Sequence, residues 1–202
     1  MSKYEEMKII LLGNSSVGKT SFIVKYIDNK FSFDYTATLG IDYKLKKLKS
    51  KKGKEIRLRI FDTAGQERFK SVSVSFIKKA DGIVLIYDIS NKISFEEIGG
   101  WIESIKENGK INIPVILVGN KCDLSDDIRQ ISKKEGQEKA DEFQIPFYET
   151  SCKDGININE VFDKLVQNIQ NSNYSSGETK VLNAGNKNKK CCWILKYFLV
   201  IK

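Results

Sequence analysis

The residues Gly13-Asn14-Ser15-Ser16-Val17-Gly18-Lys19-Thr20 have the spacing G-x-x-x-x-G-K-[ST]. That pattern cradles phosphate when it joins a strand to a helix. The glycines permit a tight turn, so successive N–H groups from Ser15 to Gly18 point at one anion. Lys19 would neutralise the outer phosphates, and the Thr20 hydroxyl would ligate magnesium. Ser21 follows in a helical first turn, whose dipole favours the same anion. The bland alternative is a Gly-rich turn with an exposed lysine. The apolar run Ile9-Ile10-Leu11-Leu12 before the loop and the helical pattern after it argue against that.

A phosphate loop does not separate ATP from GTP, but Asn120-Lys121-Cys122-Asp123 does. It follows the apolar run Val115–Val118 and so falls at the carboxyl edge of a sheet, where open α/β folds bind ligands. A carboxylate accepts from two adjacent donors, and guanine offers N1–H beside its 2-amino group. Adenine offers no such pair, and a buried unpaired carboxylate discriminates by roughly 10⁴–10⁵. Ser151-Cys152-Lys153 follows the next strand at its carboxyl end and reads as a second guanine loop, whose backbone N–H groups would bind O6 while the Lys153 stem would lie over the base. A third element is Phe61-Asp62-Thr63-Ala64-Gly65-Gln66-Glu67. Asp62 would hold the magnesium shell through water, the Gly65 N–H would meet the γ-phosphate, and the Gln66 amide would orient the attacking water.

Those groups need a scaffold. Candidate strands are Lys8–Leu12, Ile41–Leu48, Ile56–Asp62, Ile83–Tyr87, Val115–Val118 and Phe147–Thr150. The second alternates Ile41, Tyr43, Leu45 and the third Ile56, Leu58, Ile60, with Arg57 and Arg59 facing away; a basic turn makes the two a hairpin. The fourth and fifth are continuous apolar runs, as buried parallel strands are. Helices are expected over Thr20–Ile27, Phe95–Lys106, Lys133–Phe143 and Ile158–Asn168, with Ser94 and Ser132 as caps. Ser132 and Glu135 have capping-box spacing. After Asn171 the chain turns polar and should be disordered.

Composition narrows the chemistry. There is no histidine, which removes His-based acid–base and metal sites. Six lysines and one glutamate in residues 173–202 supply +5 of the net +8, leaving +3 over residues 1–172. The basic character belongs to the tail, so nucleic acid is not an expected partner. Cys122, Cys152, Cys191 and Cys192 form no CxxC pair, and a reducing cytosolic setting fits them.

In this order and spacing the three motifs resemble the small GTPases of the Ras superfamily. Thr38-Leu39-Gly40-Ile41-Asp42-Tyr43, Asp62 to Phe69 and Tyr87-Asp88-Ile89 are similar to the Rab branch. The phosphate loop through Ser21-Phe22 is similar to the secretory Rab subgroup, including Ser16 where glycine is common. The likeness covers about residues 7–170. It implies an α/β P-loop G domain with a mostly parallel six-stranded sheet, five helices and two nucleotide-sensitive switches. By position, Phe31 would stack on guanine and Tyr35 would lie over the phosphates. Thr38 would ligate magnesium and meet the γ-phosphate. Tyr43, Phe61 and Phe76 would form an aromatic triad facing effectors, with plain core packing nearly as good an account. Phe61 departs from the usual Rab tryptophan, and Ser75-Phe76-Ile77-Lys78-Lys79 replaces a tyrosine-rich segment.

The resemblance implies a GTP hydrolase, slow by itself because no arginine is placed as a finger in cis. It implies GTP/GDP and Mg2+ as ligands. Expected partners are an exchange factor, a GTPase-activating protein, a GDP-dissociation inhibitor or escort protein, and membrane effectors, acting on a monomer. The organisation expected is a G domain over residues 1–172, a flexible linker over 173–190 and an attachment tail over 191–202. Rab proteins usually end near a cysteine pair that is prenylated, whereas Cys191-Cys192 is followed by Trp193 to Lys202. Three alternatives stand for this tail. It is prenylated on both cysteines, or it is an apolar interfacial anchor beside Lys187, Lys189 and Lys190, or its last residues are a gene-model artefact. The first two put the protein on the cytoplasmic face of an intracellular or vesicle membrane, cycling with cytosol, in vesicle trafficking.

Overall fold

The computed structural model describes residues 4–32, 41–50, 53–63 and 70–182. The strands are β1 (Tyr4–Leu12), β2 (Ile41–Lys49), β3 (Glu55–Thr63), β4 (Gly82–Asp88), β5 (Val115–Asn120) and β6 (Phe147–Thr150). They form one sheet in the order β2-β3-β1-β4-β5-β6. Only β2 runs antiparallel to its neighbour. The helices are α1 (Lys19–Asp28), α2 (Lys70–Ile77), α3 (Lys92–Glu96), α4 (Ile98–Asn108), α5 (Lys133–Phe143) and α6 (Ile158–Leu182). Glu97 closes α3 and opens α4, so those two make one helix broken at a single residue.

The continuous apolar strands are explained by a core on each face of the sheet. Ile9 and Leu11 of β1, Val84 and Ile86 of β4, and Ile116 and Val118 of β5 pack with Phe22 of α1 and Phe162 of α6. Tyr26 stacks on Phe162 with ring centroids 3.7 Å apart. The intervening residues Ile10, Leu12, Leu85 and Leu117 pack with Ile77, Trp101, Ile105 and Ala140 of α2, α4 and α5. Every side chain of β4 and β5 is therefore buried.

Four expectations are corrected. Tyr43 and Leu45 are about half exposed, at 53% and 55%. They pair across the ladder with Phe61 and Arg59, while Ile56, Leu58 and Ile60 point into the core opposite Leu48, Lys46 and Lys44. Directly paired residues share a face, so the apolar alternation in β2 marks its outer side. Helix α2 had no sequence signal, because Ser-Val alternation reads as extended chain and packing against the second core overrides it. The helix expected at Phe95 starts at Lys92, capped by the Asn91 side chain accepting from Ser94 N–H at 3.2 Å; Ser94 lies inside the turn. Finally, α6 runs to Leu182, through a stretch expected to be disordered. A helix closes its own backbone hydrogen bonds, so a polar composition does not end it. The Ser132–Glu135 capping box is present as expected.

Candidate functional site

The phosphate loop leaves the carboxyl end of β1, at the point where neighbouring strands follow in opposite directions along the sheet. Gly13 has φ +137°, and a Cβ there would lie 2.0 Å from the Ile86 carbonyl oxygen. Gly18 has φ +98°, and its Cβ would lie 2.4 Å from Asn120 Nδ2. Glycine at both positions lets the loop sit against β4 and β5. Ser16 holds φ +63° as a non-glycine residue, at a cost of about 1 kcal/mol. Gly13→Ala is expected to destabilise the chain by about 2–4 kcal/mol through clash and strain together. Thermal unfolding of the nucleotide-free protein measures this, and an unchanged midpoint would show that Ile86 yields instead.

Helix α1 begins at Lys19 with no side chain capping its first turn and no acidic residue in it. Its leading N–H groups are left for an anion. Lys19 is 5% exposed and donates from Nζ to the carbonyls of Gly13 at 2.8 Å and Asn14 at 2.6 Å. The ammonium is thus held inside the curve of the loop. Thr20 Oγ1 donates to Asp62 Oδ2 at 2.6 Å, and both residues line one cleft with Tyr43 and Lys44. Two hard oxygen donors meeting beside a phosphate loop suit magnesium, which takes one or two protein ligands plus phosphate oxygens.

The loops that follow β5 and β6 interlock. Asn120, 1% exposed, donates from Nδ2 to the Val17 carbonyl at 2.9 Å, tying the end of β5 to the loop after β1. Its Oδ1 accepts from Thr150 Oγ1 at 3.1 Å and from Cys152 Sγ at 3.5 Å. Lys121 ion-pairs with Asp88 Oδ2 at 2.6 Å. Ser151 Oγ donates to Asp123 Oδ1 at 2.6 Å, and Lys153 Nζ lies 3.9 Å from Asp123 Oδ2. The carboxylate is therefore fixed from two sides. Burial pushes the Cys152 thiol up to about 12, so it stays protonated and acts as a small packing group.

Phe31 is half-buried against the first core. Phe61 lies 5.8 Å from Tyr43 and 5.5 Å from Phe76 between ring centroids, so the three aromatics form a chain. Phe61 and Phe76 pack partly on the second core, whereas Tyr43 is open. Tyr35, Thr38, Gly65, Gln66, Cys191 and Cys192 lie outside the described residues.

Sequence reasoning gave Asn14 and Asp88 no role of their own, though both stand in quoted motifs, and missed Trp101. Asp88 holds Lys121, and Asn14 Oδ1 accepts from Trp101 Nε1 at 3.1 Å. Their partners are distant in sequence, so no local pattern announced them.

The Ras family model matches residues 8–171 of this chain. The chain belongs to the Ras family, in its Rab branch. It is 38% identical to the Ras-related protein Rab-13 of Rattus norvegicus over 192 residues, 90% of this chain and 94% of that one. It is 44% identical to Rab-3C of Bos taurus over 172 residues, 85% and 75% of the two chains. To SEC4 of Candida albicans it is 41% identical over 165 residues, 81% and 77%. As a Rab-type small GTPase, the protein binds GTP and GDP and hydrolyses the one to the other.

Proposed function

We propose that this GTPase is a switch in vesicle traffic that engages membrane effectors in its GTP state and drops them after hydrolysis. The observation that most supports guanine recognition is Asp123, held by Ser151 and facing Lys153 at the carboxyl edge of the sheet. Lys121, Asn120, Ser151, Cys152 and Lys153 would complete the base site, with Phe31 stacking on the base. Ser15 to Ser21 would take the phosphates with Tyr35, and Lys19 would neutralise them.

Thr20, Thr38 and, through water, Asp62 would hold magnesium, which when bound neutralises charge on the phosphate oxygens. Gln66 would orient the attacking water, and the N–H groups of Thr38 and Gly65 would sense the γ-phosphate. Loss of that phosphate would release both segments, an order–disorder change that effectors would read at Tyr43, Phe61 and Phe76.

Residues 1–172 form the G domain in this scheme, 173–190 a linker and 191–202 the attachment tail. No described helix is long and apolar enough to cross a membrane. Attachment would rest on Cys191 and Cys192 or on the apolar residues after them. An exchange factor, a GTPase-activating protein and a GDP-dissociation inhibitor or escort protein would drive the cycle of a monomer between cytosol and an intracellular membrane.

Titration of the full chain with GDP and ATP, followed by single-turnover GTP hydrolysis in Mg2+ and in EDTA, tests this. GDP should bind far more tightly than ATP. Hydrolysis should be slow, need Mg2+ and accelerate with a Rab-directed activating protein. Comparable affinity for the two nucleotides would refute the assignment of Asp123, and no acceleration under any condition would refute the switch. Intact mass of the protein from its own cell would report lipid or trimming at the tail.

A further inference from the structure

Asn14 is buried at 6% exposure, inside the loop that holds Lys19. A buried amide needs partners, because stripping it of water without one is costly. Its Oδ1 receives the indole N–H of Trp101 at 3.1 Å, a buried bond spanning 87 residues. Its main-chain carbonyl receives Lys19 Nζ at 2.6 Å. One residue therefore joins the ammonium of the phosphate loop to the first turn of α4.

Trp101 is itself 9% exposed, with Ile98, Ile102 and Ile105 of the same helix in the second core. An indole has one donor and no acceptor, so this bond satisfies it fully. Two rigid bodies meet here: a helix fixed by its core face, and a loop whose Gly13 already sits in a left-handed conformation against Ile86. Among the described residues, the indole is the Asn14 side chain's tie across the fold, and it holds the loop's first turn.

We propose that Trp101 is a positioning residue for nucleotide retention, acting through Asn14 to keep the phosphate loop and Lys19 in register. This rests on the assignment of Lys19 to the phosphates. Asn120, at the end of β5, separately clamps Val17 of the same loop at 2.9 Å. The loop is thus gripped at two points, at Asn14 from α4 and at Val17 from β5.

The test uses the full chain loaded with fluorescent mant-GDP, chased with excess GDP. Trp101→Phe keeps an aromatic ring in the core and removes the donor; Asn14→Ala removes the acceptor. Each is expected to speed release roughly 3- to 30-fold, as for loss of a buried hydrogen bond. The double variant should release no faster than the quicker single one, since both delete the same bond. Asn14→Ala should also move one of the two indole ¹⁵N–¹H resonances, the one Trp101→Phe removes.

Unchanged release in both singles, or effects that multiply in the double, would overturn the proposal. Lower melting temperature with unaltered release would assign Trp101 to packing alone and overturn it too. If Trp101→Phe fails to fold, Asn14→Ala probes the same bond from the loop, and its release rate and indole shift decide. Failure of the unmodified chain to bind mant-GDP would refute the nucleotide site itself, a separate result.

Discussion

Asp123→Asn is expected to lower GTP affinity on the order of 10⁴-fold and to make xanthosine triphosphate the tighter ligand. In the proposed base site the carboxylate would accept from both N1–H and the 2-amino group of guanine. An amide keeps one acceptor and turns the other position into a donor, which then meets the 2-amino group head on. Xanthine carries a carbonyl there and accepts from that donor. Ser151 Oγ donates to Asp123 Oδ1 at 2.6 Å and can equally accept from an NH₂ there, so the amide is free to turn its NH₂ toward the 2-position. Calorimetric titration with GDP and xanthosine diphosphate reads the inversion. Retention of guanine preference would remove Asp123 from the base site.

Lys19→Met should cut GTP affinity by roughly 10²–10⁴-fold while leaving the nucleotide-free fold as stable as before, or more so. Lys19 is almost fully buried, and its ammonium donates to the Gly13 and Asn14 carbonyls. Methionine has a similar stem and carries no charge to desolvate. The two carbonyls it leaves are under-satisfied acceptors, a small cost beside a buried ammonium. With phosphates bound the sign reverses, because the ammonium is then the main local counter-charge. Denaturant unfolding in EDTA and nucleotide titration measure the two effects separately. A marked loss of nucleotide-free stability would show that Lys19 holds the loop together by itself.

How far each element was legible depended on how local its cause was. Helix α5 was read with its bounds, because a capping box and an amphipathic stretch adjoin in sequence. Strands β4 and β5 were visible as the apolar runs Ile83–Ile86 and Val115–Val118, since burial on both faces leaves no polar position there. Strand β2 was found, but its alternation did not say which side was inside. Leu45 stands beside Arg59 on the outer face, and only the pairing with β3 reveals it. Helix α2 was invisible, because its Val and Ser residues prefer extended chain unless a core compels otherwise.

The nucleotide site divides along the same line. Its motifs are short and contiguous, and their chemistry follows from residue type: a lysine and hydroxyls for phosphate, an aspartate for guanine. The family follows from their order along the chain, which the match over residues 8–171 bears out. What the chain could not declare was the set of bonds that hold those motifs together. Thr20 reaches Asp62 across 42 residues, Trp101 reaches Asn14 across 87 and Asn120 reaches Val17 across 103. A local pattern names a group that can do chemistry; which groups meet is decided by strand order, and by the glycines that let one loop press against another.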